Sequence, residues 1–111
     1  MGLSTHILDT HLGRPAAGVP IALSQLCDGA WQPIGSAKTD ADGRAKTLLG
    51  ERGLETGEYR LRFETAEYFK RLGTATLYPY VEIVFRVADP AQHYHIPLLL
   101  AANGYATYRG S

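Results

Sequence analysis

Short runs of alternating apolar and polar residues, each cut off by glycine, proline or aspartate, leave this chain few options other than a sheet. Residues 3–10, LSTHILDT, set Leu3, Thr5, Ile7 and Asp9 on one side and Ser4, His6, Leu8 and Thr10 on the other. Successive side chains of a strand point to opposite faces, so each run has a side to bury. HLGRPAAGVP then supplies breakers, and IALSQL alternates again. DGAWQ is turn chemistry leading into WQPIGSAKT, and DADG is a tight turn of the kind Asp-Gly favours, followed by RAKTLL. EYRLRFE sets Tyr59, Leu61 and Phe63 against Arg60 and Arg62; VEIVFRVAD, HYHIPLLL and GYATYRG complete the set.

One segment breaks the rhythm. TAEYFKRLG offers Thr65 as an N-cap, Glu67 in the first turn, Lys70 and Arg71 in the last, and Gly73 as the stop. Tyr68 and Leu72 fall on one helical face. About eight short strands and one short helix predict an all-β fold, an antiparallel β-sandwich. It is expected to be a single domain over residues 1–111.

A chain that is 45% apolar can bury a core, and its 11 basic and 11 acidic side chains cancel. With no Lys/Arg cluster, the balance argues against a nucleic-acid or anionic-membrane partner. One cysteine excludes an internal disulfide, and Cys27, at a strand end, reads as a small apolar filler. No run approaches the roughly 20 apolar residues of a membrane span. MGLSTHILDT lacks the basic start and apolar stretch of a signal peptide, so a cytoplasmic location is the expectation.

The chemistry-bearing side chains are few. His93 and His95, two apart in a strand, project to one face with Tyr94 opposite. Such a pair can be a metal pair, but a catalytic zinc site needs a third protein ligand, and no HxxxH or CxxC spacing accompanies it. Otherwise His93 reads as a solvated residue at a strand start, while His95 sits deeper in the apolar run. His6 reads as a structural or surface residue, and His11 as a loop residue without a role. Arg44, directly after the Asp-Gly turn, is either a solvated charge or a guanidinium fork aimed at a planar polar group. The terminus GYATYRGS keeps a strand-forming pattern where a loose polar tail is usual, so it is either docked or part of a site. No Gly-x-Ser-x-Gly elbow or phosphate loop is present.

STHILDT, KTDADGR, HYHIPLLL and the terminal YRGS, in that order, resemble the 5-hydroxyisourate hydrolases of the transthyretin-like family, and the likeness runs nearly end to end through GEYRLRFET. The terminal tetrapeptide is the specific mark, since it separates the enzymes from the hormone-carrying transthyretins. The resemblance implies a transthyretin-like sandwich assembled as a homotetramer, a dimer of dimers, with sites in a channel at the dimer–dimer interface. It implies hydrolysis of 5-hydroxyisourate in urate breakdown, with no metal and no cofactor. Carried over residue by residue, it makes His6, Arg44, His95 and Tyr108 the catalytic set. His6, Arg44, Tyr108, Arg109 and Ser111 become the substrate-binding set, with Gly110 inside the terminal motif, and His93 is not expected to be the key histidine. His6 and His95 would jointly activate water, Arg44 would bind substrate and offset negative charge, and Tyr108 would hydrogen-bond substrate or leaving group. Pro97, lacking an amide hydrogen, suits an edge or channel-facing position. The rival is a transthyretin-like small-ligand carrier without hydrolase activity.

Overall fold

Alternation becomes two packed layers. In the computed structural model, which describes residues 2–111, the elements run β1 (Leu3–Asp9), β2 (Arg14–Pro15), β3 (Pro20–Cys27), β4 (Ala30–Lys38), β5 (Arg44–Ala45), β6 (Gly57–Phe63), α1 (Thr65–Arg71), β7 (Val81–Val87), β8 (Tyr94–Ala101) and β9 (Gly104–Thr107). One sheet has the order β2-β1-β8-β9 with β5 also on β1; the other has the order β4-β3-β6-β7. Every pairing is antiparallel except β1 with β8, which run parallel from Leu3↔Tyr94 to Asp9↔Leu100.

The core lies between the layers. Leu3 and Ile7 of β1, Ile21 and Leu23 of β3, Tyr59, Leu61 and Phe63 of β6, and Leu98 and Leu100 of β8 are all buried. Each such side chain stabilises the fold by about 1.5–3 kcal/mol on burial. The opposite row of β1, Ser4, His6 and Leu8, is only half-buried, so it forms the outer face of its sheet.

The polar groups that fall inside are paired. Thr5 donates its hydroxyl to the Ile96 carbonyl, tying β1 to β8. Asp9 accepts the amides of His11 (3.0 Å) and Leu12 (2.9 Å) and the Tyr68 hydroxyl (2.6 Å), fastening the helix to the end of β1. Burial, helped by the bond to Asp9, pushes the Tyr68 phenol up to about 12.

The structure departs from the expectations in several places. RAKTLL is a strand only at Arg44–Ala45; the chain then turns, with Leu48 and Leu49 buried in the turn. Arg14–Pro15, expected as a breaker, makes a short edge strand on β1, where proline needs no donor. Thr65 is the first helical residue rather than the cap: Glu64 holds the cap position without a side-chain bond, and the buried Thr65 hydroxyl has no partner. The helix buries Thr65, Tyr68 and Phe69, leaving Leu72 42% exposed, so its apolar face is rotated from the Tyr68/Leu72 line. Cys27, at the end of β3, is half-exposed beside the Asp28–Gly29 hairpin instead of filling the core. Gly73 does stop the helix: at φ 69° it donates to the Lys70 carbonyl (3.1 Å) while Thr74 donates to Phe69 (2.9 Å), a Schellman closure.

Candidate active site

Strand register assembles the candidate residues. β1 lies between β5 and β8. Along it, His6 is opposite Arg44 on one side and Pro97 on the other, and Ser4 is opposite His95. Directly paired residues share a face. Ser4, His6, Arg44 and His95 therefore gather on the outer face of this sheet, with Ser4, His6 and His95 half-buried and Arg44 exposed.

Arg44 is delivered by the DADG turn. The Asp40 carboxylate accepts the amides of Arg44 (3.0 Å) and Asp42 (2.9 Å), and the Arg44 bond holds its carboxyl below the usual range. Gly43 sits at φ 74°, and a Cβ there would stand 2.6 Å from the Ile7 carbonyl oxygen and 2.9 Å from the Pro15 Cβ. Only glycine lets the turn lie this close to β1, where the Ile7 amide donates to the Gly43 carbonyl (2.8 Å).

The two histidines of HYH converge on a serine. Ser4 Oγ lies 2.9 Å from His93 Nε2 and 2.8 Å from His95 Nδ1. Burial holds His95 below its ordinary value of 6.5, and the nearby Arg44, His6 and His93 add to the effect. The neutral form of His95 is thereby favoured, with one ring nitrogen committed to Ser4. Among the described residues, no three His, Cys, Asp or Glu side chains are grouped to hold a metal ion.

The terminus is docked. β9 pairs with β8 as far as Leu98↔Thr107. The next ladder bond would need an amide hydrogen from Pro97, which has none, and the Pro97 carbonyl is taken by the Thr107 hydroxyl (2.7 Å). Pro97 is thus in an interior strand, not at an edge, and its missing donor opens the ladder at Tyr108. Pairing resumes where the Gly110 amide donates to the His95 carbonyl (2.8 Å). A Cβ on Gly110 would overlap the His95 ring at Cδ2 and stand 3.1 Å from its Cγ. The glycine of the terminal motif is a wall of the His95 site.

Tyr108 and Arg109, in the opened stretch, face elsewhere in the single chain. Tyr108 is 58% exposed. Both line a cleft with Phe85 and Arg86 of β7, at the open edge between the sheets. Arg109 donates to Gln92 Oε1 (2.9 Å) and stacks over the Tyr94 ring (4.4 Å). Ser111 is exposed. The fold therefore brings His6, Arg44 and His95 together but makes no hydrogen bond from Tyr108 to any of them.

Ser4, Gly110 and Lys46 were not singled out as site residues by the sequence reading. Lys46 lines a cleft of about 350 Å³ with Ser4, Arg44 and His93. The β1 alternation already put Ser4 on the side of His6; nothing in the sequence put it opposite His95. A larger cleft of about 700 Å³ opens by Asp9, His11 and Phe69, and it contains none of the candidate residues.

A two-sheet sandwich carrying two imidazoles and a guanidinium on one outer sheet face defines the class. The match to the family described as HIUase/Transthyretin runs over residues 3–110, and the chain belongs to that family. The 5-hydroxyisourate hydrolase of Salmonella typhimurium is 43% identical over 98% of this chain and 80% of its own length. Among solved structures, Klebsiella pneumoniae 5-hydroxyisourate hydrolase superimposes with a TM-score of 0.86 at 37% identity, covering 100% of both chains. Sea bream transthyretin, solved in complex with thyroxine, superimposes at 0.92 with 34% identity, covering 99% of this chain and 95% of that one. The backbone is at least as close to a carrier as to an enzyme, so side chains must separate the two.

Proposed function

We propose that this protein is a 5-hydroxyisourate hydrolase. The observation that carries the reading is the half-buried His95 sharing a sheet face with His6 and Arg44, where burial and the guanidinium favour its neutral form. A face built from imidazole and guanidinium suits a planar, polar, hydrogen-bonding substrate and is poorly suited to a purely apolar ligand.

Hydrolysis of the ring amide requires a water oxygen to add to the carbonyl carbon. The C–N bond then breaks, and the leaving nitrogen takes a proton. The product is 2-oxo-4-hydroxy-4-carboxy-5-ureidoimidazoline. In this reading water activation falls to His95 and His6 jointly, a task suited to imidazole, whose ordinary titration range lies near neutrality. Arg44 orients the substrate and offsets the charge that develops on the carbonyl oxygen. Tyr108 hydrogen-bonds substrate or leaving group from a neighbouring copy or after the tail shifts, and Arg109 and Ser111 order the terminus around it. We read the working form as a cytoplasmic homotetramer of single-domain chains, with this sheet face lining a channel between dimers, and no metal or cofactor in the reaction. The half-exposed Leu8 and Leu99, adjacent on the same face, support such packing.

The test is direct. 5-Hydroxyisourate, made freshly with urate oxidase, is followed by absorbance with and without the protein. Accelerated decay is expected, and decay at the spontaneous rate would return the chain to the carrier class.

A further inference from the structure

The proposed reaction leaves Ser4 and His93 without a task, yet they hold the best-defined polar contacts of the site. Ser4 Oγ is within hydrogen-bond distance of both His93 Nε2 (2.9 Å) and His95 Nδ1 (2.8 Å). A hydroxyl carries one proton, so it can donate to one ring and must accept from the other. Ser4 therefore couples the protonation of the two rings: whichever ring receives its proton fixes the tautomer of both.

We propose that Ser4 is a positioning residue that sets the His95 tautomer and, with His93, forms a proton outlet from the active site to solvent. This rests on the hydrolase reading above. In the resting arrangement His95 Nδ1–H donates to Ser4, Ser4 donates to His93 Nε2, and His93 keeps its own proton on Nδ1. His95 Nε2 then carries the free lone pair that accepts the water proton. When it does, the Nδ1 proton passes to Ser4 and the Ser4 proton passes to His93 Nε2. His93, momentarily an imidazolium, releases its Nδ1 proton to water. His95 is neutral again, now with Nε2–H; when it donates that proton to the leaving nitrogen, Ser4 returns a proton to Nδ1, His93 Nε2–H refills Ser4 and water refills His93 Nδ1, which restores the resting tautomers.

Two features favour this direction of transfer. His95 is half-buried and His93 is exposed, so the charge moves toward solvent. Arg44 on β5 and His6 on β1 both face His95, and a second cation between them is disfavoured. Lys46, the remaining charged group of the cleft, shares it with His93 and opposes an imidazolium there, but both side chains are exposed and water screens the repulsion. The backbone fixes the geometry: Ser4 and His95 are register partners, and the Tyr94 amide donates to the Gly2 carbonyl (2.7 Å), holding the residues around His93 against the start of β1.

Ser4→Ala, Ser4→Thr and His93→Ala test it, with thermal melts confirming the fold of each. Two-bond nitrogen–proton spectra of the ¹⁵N-labelled wild type at about pH 8, above the ordinary histidine range, should show His95 protonated on Nδ1. Ser4→Ala should lose that preference. Its kcat should fall by about 10- to 100-fold with KM little changed, less than the loss on removing the base itself. Ser4→Thr, which keeps the hydroxyl, should restore both signals, and His93→Ala, which removes the acceptor of the Ser4 proton, should lower kcat and weaken the His95 Nδ1 preference. A wild-type His95 protonated on Nε2, or wild-type kcat in both Ser4→Ala and His93→Ala, overturns the proposal. If the wild type does not speed 5-hydroxyisourate decay, the hydrolase reading falls, and the tautomer spectra still decide the hydrogen-bond chain.

Discussion

His95 is where burial, charge and packing meet, and each makes a separable demand on experiment. Its pKa is lowered chiefly by burial and then by Arg44, His6 and His93. The neutral ring therefore persists to lower pH than a free imidazole would. The acid limb of kcat/KM should lie below 6.5, the ordinary value. Arg44→Ala removes a cation and should move that limb upward; Arg44→Lys should leave it nearly in place while raising KM, since a point charge cannot replace a planar fork. The same sign applies to stability. The unfolded ring binds its proton at higher pH than the folded one, so the contribution is present above the ordinary value and lost as pH falls through the folded value. A pH–rate series on the three proteins checks the first claim, and an acid unfolding curve the second. Gly110 makes the packing demand. Gly110→Ala places a methyl on the imidazole, which has to move. A displacement of that order should cost about 100-fold in kcat with the melting temperature close to wild type, because Gly110 lies outside the buried core.

At the level of elements, what could be read from the sequence was what is local. The inner and outer rows of β1 and β6 followed from alternation alone, and Gly73 closed the helix as its position implied. The parallel match of β1 to β8 was invisible, because no turn connects strands so distant in sequence. That match is what places Ser4 opposite His95, so the serine could not be assigned. β2 escaped because two residues among glycines and prolines have no period, and β5 was overextended because Leu48 and Leu49 are apolar for a turn buried against the sandwich. Tyr68 was legible as a helix-face residue but not as the donor to Asp9, which pairs groups 59 positions apart. Tyr68→Phe would leave the buried Asp9 Oδ2 without that donor. The cost should be about 1–3 kcal/mol, read as a lower urea midpoint, while the Asp9 bonds to His11 and Leu12 hold the turn.

The whole molecule raises the question of what covers the site. The outer face of the β1–β8 sheet has two halves. Ser4, His6, Arg44 and His95 occupy one; Leu8 and Leu99, direct register partners, occupy the other, with Ala106 beside Leu99 on β9. In the lone chain Leu8 and Leu99 are half-buried and Ala106 is exposed, and the imidazoles beside them lie open on one side. A base that must act on one ordered water works better with solvent excluded, and the apolar half offers the means, since a second copy packed on it would also roof the polar half. Leu99→Asp puts a charge into that contact without touching the core, because the inward row of β8 is Ile96, Leu98 and Leu100. On the tetramer proposed above, light scattering should report four copies for the wild type and a dimer for this variant, with far-ultraviolet dichroism unchanged. Turnover should fall together with the assembly, although His6, Arg44, His95 and Tyr108 are all intact. A dimeric Leu99→Asp variant with wild-type turnover would show that one face, open to water, is enough.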